Sequence, residues 1–597
     1  MAQPAPYQYT IGTSILLVAL SAILLSLAAA PFGQWYLAWI ALAPWLLAVG
    51  RAPTLMAAVL RGWLTGILYF AVNLWWLWTA SVPGTVALVV YFGFYWAIAS
   101  GIVRGFHWLA PIQTSQHRQN EASSRRSARR SGFILTGRVF AIALAWVAVE
   151  WLRCYVLTGF SWMPLGSTQS PIVVMCQVAD IGGPWIVSFW VALLNALAAI
   201  LWTERREPRN LQIPSAIVAA TVALVALYGV ARMQTTTTTA GPRIMVFQSN
   251  FPHLPGGAPT IGREAAVEYY LTELEKALTR ESADLVILPE SAFPPINDEA
   301  RRELANSPVG PFLESTHRRL LEIALQHRTA LLVGGTAVTG WTSRDRGRIG
   351  SEIRNSAYFI DPASDVAVSR YDKIYLVPFS ERAPLAHGPQ WLHRLATILA
   401  ASRATQPMQA GELAQMKPFR LSWLAHAANS SSDTSATADP SKGERVSTPF
   451  IAPICLENVD PRVVAQMVRG VTGSGKSASF IVNLSNDGWF ATLQRHQHLQ
   501  TTIFRCIENR VPMARSSNTG ISGFIDSGGR VHDIIPANTT GVAVRQIGLD
   551  GRLTFYTRFG DVFAMCCIAC VAITLAAGIV IQFAGFWRVR RCTLTAQ

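Results

Sequence analysis

The stretch Phe450-Ile-Ala-Pro453-Ile-Cys455-Leu-Glu457 sets a thiol, and two residues later a carboxylate, at the end of a short apolar run. The run 450–454 is apolar throughout and bounded by polar residues, which is typical of a buried β-strand. A reactive side chain directly after such a strand lies at the edge of a sheet, where α/β proteins build their sites. The stretch therefore predicts an α/β domain, with Cys455 as its candidate nucleophile.

Two further apolar runs carry a reactive group in a similar place. Leu285-Val-Ile-Leu-Pro-Glu290 ends on a carboxylate, and Tyr371-Asp-Lys373-Ile-Tyr-Leu-Val carries a lysine near its start. A thiol that attacks an ester or amide needs a base to take its proton and a cation to hold the oxyanion. Each residue alone has an ordinary structural explanation. Their combination leads us to predict Glu290, Lys373 and Cys455 as catalytic residues.

The composition places the chain among membrane proteins. Of its 597 residues, 51% are hydrophobic and only 14% are charged, and this charged share is well below that of soluble domains. The net charge of +15 fits attraction either to nucleic acid or to anionic lipid. Because the apolar segments are long, we expect a membrane and no nucleic acid as partner.

Eight apolar segments reach the length that a bilayer crossing needs. They cover 11–30, 34–50, 62–80, 84–103, 139–156, 185–202, 213–232 and 561–586. We therefore predict a membrane domain over 1–235 with seven transmembrane helices, and a C-terminal transmembrane helix over 561–586. Alternating strand-like and helix-like patterns over 243–550 indicate one α/β domain between them. An insertion of about 402–447 lies within this domain, and its part 427–447 is predicted to be an exposed loop, because it is rich in Ser, Thr, Ala and Asp.

Within the α/β domain, apolar runs predict the strands and amphipathic patterns predict the helices. The strands are 244–248, 285–288, 330–334, 356–360, 450–454 and 480–484, and the helices are 263–279 and 313–326. The last strand runs into a polar, aromatic turn, Asn486-Asp-Gly-Trp489-Phe490. Such a turn is placed at the sheet edge, so we favour a site role over simple helix capping.

Arginine is concentrated in alternate loops of the membrane domain. The loops 81–83 and 157–184 contain no Lys or Arg, whereas the loops after the fourth, sixth and eighth segments are basic. The arginines of these basic loops are Arg118, Arg125, Arg126, Arg129, Arg130, Arg138, Arg205, Arg206, Arg209, Arg588, Arg590 and Arg591. Since basic loops stay in the cytoplasm, the α/β domain is predicted to lie outside it.

Three further features each have a structural and a functional interpretation. The string 470–477 fits GxxxxGK[ST], but a helix precedes it and a strand follows, which is the reverse of a phosphate-binding loop. His496 and His498 lie two apart and have no evident third metal ligand, so packing is favoured. Glu150 and Arg153 share one helix face, either as a structural pair or as the lining of a cavity for lipid.

The motifs together resemble a known family. Pro289-Glu290, Tyr371-Asp-Lys373, Val377-Pro-Phe-Ser-Glu381 and Cys455-Leu-Glu457 resemble the nitrilase, or carbon–nitrogen hydrolase, superfamily. The spans on both sides, and the motifs around Trp162 and Ser485-Asn-Asp-Gly-Trp489-Phe490, are similar to the bacterial apolipoprotein N-acyltransferases. The resemblance covers nearly the whole chain. It implies a polytopic helical membrane bundle with an external α/β nitrilase-like domain of αββα layers.

The resemblance also implies a reaction. An acyl chain passes from the sn-1 ester of a phospholipid to Cys455 as a thioester, and then to the α-amine of an S-diacylglyceryl-cysteine apolipoprotein. Glu290 would be the base, and Lys373 would ease thiolate formation and hold the oxyanion. Supporting roles fall to Glu381, Glu457 and Asn486, with Glu381 and Glu457 orienting Lys373 and the amine, and lipid contacts fall to Trp162, Trp489 and Phe490. We expect no cofactor or metal, a monomer, and residence in the bacterial inner membrane with the catalytic domain facing the periplasm.

Two alternatives stay open at this point. A membrane-anchored carbon–nitrogen hydrolase of the amidase or nitrilase type would use the same three residues with water in place of the amine. A transporter would use the helical bundle itself, but such proteins show internal repeats and charges at the membrane midplane. We find no repeat in the sequence, so the two enzyme hypotheses rank above transport.

Overall fold

The computed structural model describes most of the chain in two compact units. The described residues are 9–79, 81–109, 121–157, 159–235, 237–251, 261–344, 347–363, 368–377, 381, 389–391, 394, 408–425, 444–470, 475–490 and 492–594. The first unit, called the membrane unit, comprises Met1–Trp75, Thr85–Ala231 and Asp561–Gln597. The second, called the α/β unit, comprises Trp76–Gly84 and Arg232–Gly560.

The membrane unit is entirely helical in its described part. Its helices are α1 (Ile11–Ala28), α2 (Ala43–Gly50), α3 (Leu55–Asn73), α4 (Val82–Leu109), α5 (Glu121–Tyr155), α6 (Val173–Cys176), α7 (Ala179–Thr203), α8 (Pro208–Gln234) and the C-terminal helix Val562–Leu594. Seven of the described helices are long and apolar enough to cross a membrane: six of α1 to α8, and the C-terminal helix. The chain is therefore a multi-pass membrane protein.

The stretch 34–50 differs from the single span that the sequence predicts. It forms a 3₁₀-helix, Trp35–Trp39, followed by the short helix α2. The Asn195 side chain accepts from the Leu42 amide at 2.7 Å and donates to the Ala38 carbonyl at 2.7 Å. This side chain satisfies backbone groups at the break, which would otherwise be costly in an apolar bundle. A seventh N-terminal crossing depends on this broken segment and stays a prediction.

Glu150 and Arg153 are both buried and both bind the segment that follows α5. The Leu165 amide donates to the Glu150 carboxylate at 2.7 Å, and Arg153 donates to the Phe160 carbonyl at 3.2 Å. The guanidinium also lies 5.5 Å from the centroid of the Phe70 ring. The cavity beside them measures only about 30 Å³, which is far smaller than a ligand pocket of about 300–1,000 Å³. These contacts favour the structural interpretation of the pair.

The α/β unit contains two six-stranded sheets. The first has the strand order β12-β1-β2-β3-β4-β5 and the second has the order β11-β10-β9-β8-β7-β6. The strands are β1 (Thr239–Gln248), β2 (Leu285–Phe293), β3 (Ala330–Arg344), β4 (Gly347–Ile360), β5 (Ser369–Asp372), β6 (Phe419–Ala425), β7 (Glu444–Ile451), β8 (Phe480–Ser485), β9 (Met513–Ser517), β10 (Ser522–Ile525), β11 (Val531–Ile535) and β12 (Gly541–Leu549). The helices are α9 (Arg263–Arg280), α10 (Asp298–Glu303), α11 (Gly310–His327), α12 (Pro461–Arg469), α13 (Thr492–Asn509) and α14 (Phe555–Phe559).

Each sheet has a parallel centre. The strands β1, β2 and β3 run parallel, as do β7, β8 and β9, and the remaining pairs are antiparallel. One face of the first sheet packs on α9 and α11, and its other face meets the second sheet. Phe359 of the first sheet contacts Phe450 of the second with ring centroids 5.2 Å apart. The predicted α/β domain with nitrilase-like stacked sheets is confirmed.

The insertion 402–447 contains a strand that the sequence does not predict. Strand β6 lies inside it and pairs antiparallel with β7, which therefore begins at Glu444 and not at residue 450. In β6, Phe419, Leu421 and Trp423 are buried and their neighbours are less so, which is the period-two pattern of a half-buried strand. Of the predicted exposed loop 427–447, residues 427–443 lie outside the described residues, and residues 444–447 are wrong as a loop because they belong to β7.

Candidate active site

The three predicted catalytic residues all lie at strand ends of the α/β unit. Glu290 follows the regular pairing of β2, Lys373 comes directly after β5, and Cys455 opens the 3₁₀-helix Cys455–Val459 soon after β7. Hydrogen bonds and charge interactions bring all three together. The backbone of Cys455 is left-handed, with φ at 52°. The apolar runs that predict these strands thus also position their reactive residues.

A buried ion cluster surrounds the lysine. Lys373 Nζ lies 3.3 Å from Glu290 Oε1 and 2.9 Å from Glu381 Oε1, and the lysine is 1% exposed. The Asn355 side chain donates to the same two oxygens, at 2.7 Å to Glu290 and 2.9 Å to Glu381. The backbone N–H of Asn486 donates to Glu290 Oε2 at 2.8 Å. Lys373 Nζ, Glu290 Oε1 and Glu381 Oε1 therefore each have two hydrogen-bond partners within the cluster.

The cluster sets the protonation states of its members. Burial raises the pKa of the Glu290 carboxyl. Burial alone would lower the pKa of Lys373, but the charges of Glu290 and Glu381 outweigh it and hold that pKa well above its usual range. Lys373 is therefore a permanent cation at neutral pH. A buried cation of this kind can stabilise an oxyanion without reorganising solvent.

Cys455 is a neutral thiol in the resting site. Burial raises the pKa of the Cys455 thiol and the Glu290 carboxylate raises it further, whereas Lys373 opposes the rise. Lys373 thus acts in the direction that we predict, but it does not outweigh burial. The thiol must lose its proton during attack, because the thiolate is the nucleophile. The adjacent carboxylate of Glu290 can accept that proton.

The Glu457 carboxylate is buried and accepts hydrogen bonds from several segments of the chain. It is fully buried and accepts from the Tyr371 hydroxyl at 2.8 Å and from the amides of Ile374, Tyr375 and Ile454 at 2.6, 3.0 and 2.7 Å. These donors flank both Lys373 and Cys455 in the chain. The contacts connect the lysine and cysteine segments of the chain. The predicted role of orienting an incoming amine stays a prediction.

We expect Glu457→Gln to impair both acylation and transfer, since one amide nitrogen would face backbone donors. Leaving such buried donors unpaired costs about 1–3 kcal/mol each, so the free energy of unfolding should also fall. Intact-mass kinetics with and without acceptor, together with thermal unfolding, measure these effects. If the thioester formed at the wild-type rate and only its turnover slowed, the amine-orienting role would be favoured instead.

A second buried network lies beneath the turn after β8. Arg515 Nη2 lies 2.9 Å from Asp487 Oδ2, and His498 Nδ1 lies 3.1 Å from Asp487 Oδ1. Arg515 also donates to the Asn483 side chain, and His498 interacts with the Cys455 backbone. Burial alone would raise the pKa of the Asp487 carboxyl, but His498 and Arg515 outweigh it and hold that pKa far below its usual range. The network connects the turn to the nucleophile.

This network explains His498 and includes a residue that the sequence does not single out. His498 is buried and its Nδ1 is engaged, whereas His496 is exposed. Among the described residues no group of three or more His, Cys, Asp or Glu could hold a metal ion. Arg515 and Asn355 belong to the site region, but both occupy strand positions that look ordinary in the sequence. Their place in the site is evident only from the residues that they contact in the folded chain.

The three predicted lipid-binding aromatics fall in different units. Trp489 and Phe490 belong to the α/β unit, and Trp162 belongs to the membrane unit. Trp489 is 45% exposed, and Phe490 packs edge-on against Trp76 with ring centroids 4.9 Å apart. Trp162 is buried and stacks on Phe160 at 5.5 Å. Trp489 therefore has the exposure that a lipid contact needs, whereas Trp162 is buried within the membrane unit, and the lipid-binding role of each stays a prediction.

The lysine of the phosphate-loop string binds the protein itself. Lys476 Nζ donates to the backbone carbonyls of Arg510 at 2.8 Å and Asp550 at 2.9 Å. Helix α12 precedes the string and β8 follows it, in the predicted order. Residues 471–474 lie outside the described part. Lys476 connects chain segments and is not directed at a bound phosphate.

We expect Lys476→Ala to leave acyl transfer within a few fold of wild type. The change removes two hydrogen bonds from a charged donor, so the free energy of unfolding should fall by about 1–3 kcal/mol. Transfer assays and thermal unfolding test the two parts. A loss of activity comparable to that of Cys455→Ala would show that the string serves the reaction.

Both units match known family models. Residues 21–197 match the apolipoprotein N-acyltransferase N-terminal domain, and residues 257–552 match the carbon–nitrogen hydrolase domain. The apolipoprotein N-acyltransferase of Geobacter metallireducens is 30% identical over 577 residues, which covers 94% of each chain. That of Chlorobaculum tepidum is 26% identical and covers 89% of this chain and 90% of its own length. That of Bordetella bronchiseptica is 29% identical and covers 94% and 96%.

These matches extend through the membrane unit and the α/β unit alike. The relatives therefore share the whole arrangement of helical bundle and nitrilase-like domain, and not only the hydrolase part. The identity and the coverage, together with the Glu290, Lys373 and Cys455 geometry, show that this chain belongs to the apolipoprotein N-acyltransferase family.

Proposed function

We propose that this protein moves an acyl chain from a membrane phospholipid to the N-terminal α-amine of an S-diacylglyceryl-cysteine apolipoprotein. The observation that carries the proposal is the buried Glu290–Lys373–Glu381 cluster beside the Cys455 thiol, with Lys373 Nζ 3.3 Å from Glu290 Oε1. Membrane-spanning helices precede and follow the α/β unit in the chain, which supports a lipid as substrate. One chain supplies every member of the site, so we propose that a monomer is active.

In the first half-reaction, Cys455 Sγ attacks the sn-1 ester carbonyl carbon of the phospholipid. Glu290 accepts the thiol proton as the S–C bond forms, and Lys373 donates to the oxyanion that develops on the carbonyl oxygen. The C–O ester bond then breaks, and Glu290 returns its proton to the leaving alkoxide. The products are an acyl-cysteine thioester and a lysophospholipid.

In the second half-reaction, the α-amine of the diacylglyceryl-cysteine attacks the thioester carbonyl carbon. Glu290 accepts the amine proton, Lys373 again stabilises the oxyanion, and the C–S bond breaks to leave the Cys455 thiolate. That thiolate takes the proton from Glu290, and the site returns to its resting state. Glu381 and Asn355 hold the side chains of Lys373 and Glu290 in position during both half-reactions. Trp489 and Phe490 would contact the acyl chains at the exposed side.

The test is intact-mass analysis of the purified protein after incubation with phospholipid alone, and then with diacylglyceryl-cysteine peptide. We expect one acyl adduct on Cys455, which disappears as the peptide gains the same mass. The Cys506→Ala variant is the matched control, since Cys506 is fully buried in α13. Release of the acyl chain to water as free fatty acid, with no acylated peptide, would favour the hydrolase hypothesis.

We also propose that the chain lies in the bacterial inner membrane with the α/β unit facing the periplasm. The support is the arginine content of alternate loops. The broken segment at 34–50 does not affect the sides predicted for the loops after Arg51 relative to one another. The helices that separate these loops are α3, α4, α5, α8 and the part of α7 that follows its kink at Gly182 and Gly183.

We therefore expect a reporter inserted within 428–440 to be active only if it is a reporter that needs the periplasm in order to fold. Fusions of alkaline phosphatase, which needs that compartment to fold, and of green fluorescent protein, which needs the cytoplasm, give opposite signals. Fusions within 204–209 serve as the matched control on the other side. A fluorescent cytoplasmic signal at 428–440 would contradict the proposed orientation.

A further inference from the structure

The membrane unit contains a second polar cavity at the opposite end of its helices from Arg153. The cavity measures about 340 Å³ and lies between α2, α4, α5 and α7. Its polar lining consists of Arg51, Arg104, Arg138 and Glu204, and Leu47 and Ile142 belong to its apolar walls. Arg138 and Arg153 lie on the same helix α5, 15 residues apart, which is about 22 Å along the axis. We call this site the basic cavity.

The basic cavity carries an excess of positive charge. It has three guanidinium groups against one carboxylate. Within the described part of the chain, neither Arg104 nor Arg138 makes an ion pair within 4.0 Å, and Arg138 Nε is buried without a hydrogen-bond partner. A buried guanidinium nitrogen without a partner between transmembrane helices is costly. An anion in the cavity would satisfy Arg138 Nε and balance the excess charge.

The surroundings indicate which anion fits. The cavity has apolar walls beside its arginines, and its volume lies in the range of small-ligand sites. Its end of the unit also carries the exposed arginines Arg205 and Arg206 in the turn after α7, and we assign this end to the cytoplasm. Basic pockets between transmembrane helices on the cytoplasmic side bind the phosphates of anionic lipids. An amphipathic lipid matches such walls better than a free ion does.

We propose that the basic cavity binds the phosphate group of an anionic phospholipid, and that this lipid is separate from the acyl donor. Arg104 and Arg138 donate to the phosphate oxygens, and the glycerol and first acyl carbons contact Leu47 and Ile142. Glu204 limits the affinity by its negative charge. The inference does not depend on the acyl-transfer chemistry, because it concerns the other end of the membrane unit.

Native mass spectrometry of the full-length protein in detergent tests the site, with phosphatidylglycerol and phosphatidylcholine added in turn. We expect retention of phosphatidylglycerol and little retention of phosphatidylcholine. The double variant Arg104→Gln/Arg138→Gln should bind phosphatidylglycerol about thirtyfold more weakly, at roughly fivefold for each arginine. Arg206→Gln is the matched control and should bind as wild type, since Arg206 is exposed outside the cavity. Equal retention by the double variant would overturn the proposal.

Two further binding measurements test the proposal if the double variant folds poorly. Glu204→Gln should bind phosphatidylglycerol about fivefold more tightly, and an unchanged or weaker affinity contradicts the assigned site. Glycerol 3-phosphate and inorganic phosphate should not displace the lipid; if they did so at equal concentration, the ligand would be a soluble phosphate and the lipid assignment would be wrong.

Acylation of Cys455 should persist in the folded double variant. Its loss would identify the cavity with the donor site and overturn the claim of a separate lipid.

Discussion

We expect Cys455→Ser to form no detectable acyl adduct with phospholipid and to transfer no acyl chain to acceptor peptide. The serine hydroxyl has a far higher pKa than a thiol, and one buried carboxylate is too weak a base to activate it. The substitution keeps the size and polarity of the side chain, so the fold should be retained. Intact-mass analysis and thermal unfolding, run side by side, measure chemistry and folding separately.

The control for this variant is Cys506→Ser, which replaces another buried thiol of the same unit. Burial raises the pKa of the Cys506 thiol well above its usual range, and no catalytic group that we identify lies among its charged neighbours. Cys506→Ser should therefore be acylated on Cys455 as wild type is. An adduct that survives in Cys455→Ala, or that maps to Cys506, would overturn the assignment of the nucleophile.

Glu290→Gln should slow acylation by about 10²–10⁴-fold, the usual contribution of a positioned general base. The amide oxygen can still accept from the Asn486 backbone at the position of Oε2, but the amide nitrogen then faces the Asn355 and Lys373 donors, so thermal unfolding is measured beside the kinetics. The amide also cannot accept the thiol proton. Single-turnover kinetics of adduct formation measure the loss. Glu352→Gln, which changes an exposed carboxylate paired with Arg354, is the matched control and should not slow the reaction.

The pH dependence of the wild type gives an independent check on Glu290. A base must be ionised to act, so activity falls as pH drops through the pKa of this carboxyl. Burial raises that pKa, so the acid limb of kcat/KM should lie above the pKa of about 4.3 of a free glutamate. An acid limb at or below that value would show that another group takes the proton.

Much of the site is predictable because its reactive groups follow apolar runs. Glu290 and Cys455 each lie at the end of a run that pairs in the parallel centre of a sheet, and Lys373 follows a short edge strand. Runs of this kind predict strands in any sequence, and a strand end fixes where its side chain lies. The order of the two sheets then brings the three ends together, which a single run cannot indicate.

Other parts of the site depend on partners that are distant in the chain. Asn355 lies within the long strand β4, where nothing in the local pattern distinguishes it, and it gains its role by touching both Glu290 and Glu381. Arg515 is similar, since its partners Asp487 and Asn483 belong to another strand and turn. The broken segment at 34–50 was also hidden, because the Asn195 side chain that satisfies it lies in α7. Hydrogen bonds between residues far apart in the chain produce no periodic pattern in the sequence, so the sequence alone does not predict them.

The left-handed backbone at Cys455 has a consequence for how this enzyme can evolve. A non-glycine residue at a φ of 52° costs the fold of order 1 kcal/mol, and the cost persists whichever side chain is there. Glycine would remove it, so Cys455→Gly should be more stable than Cys455→Ala by about that amount although both are inactive. Selection for catalysis therefore opposes selection for stability at this one position.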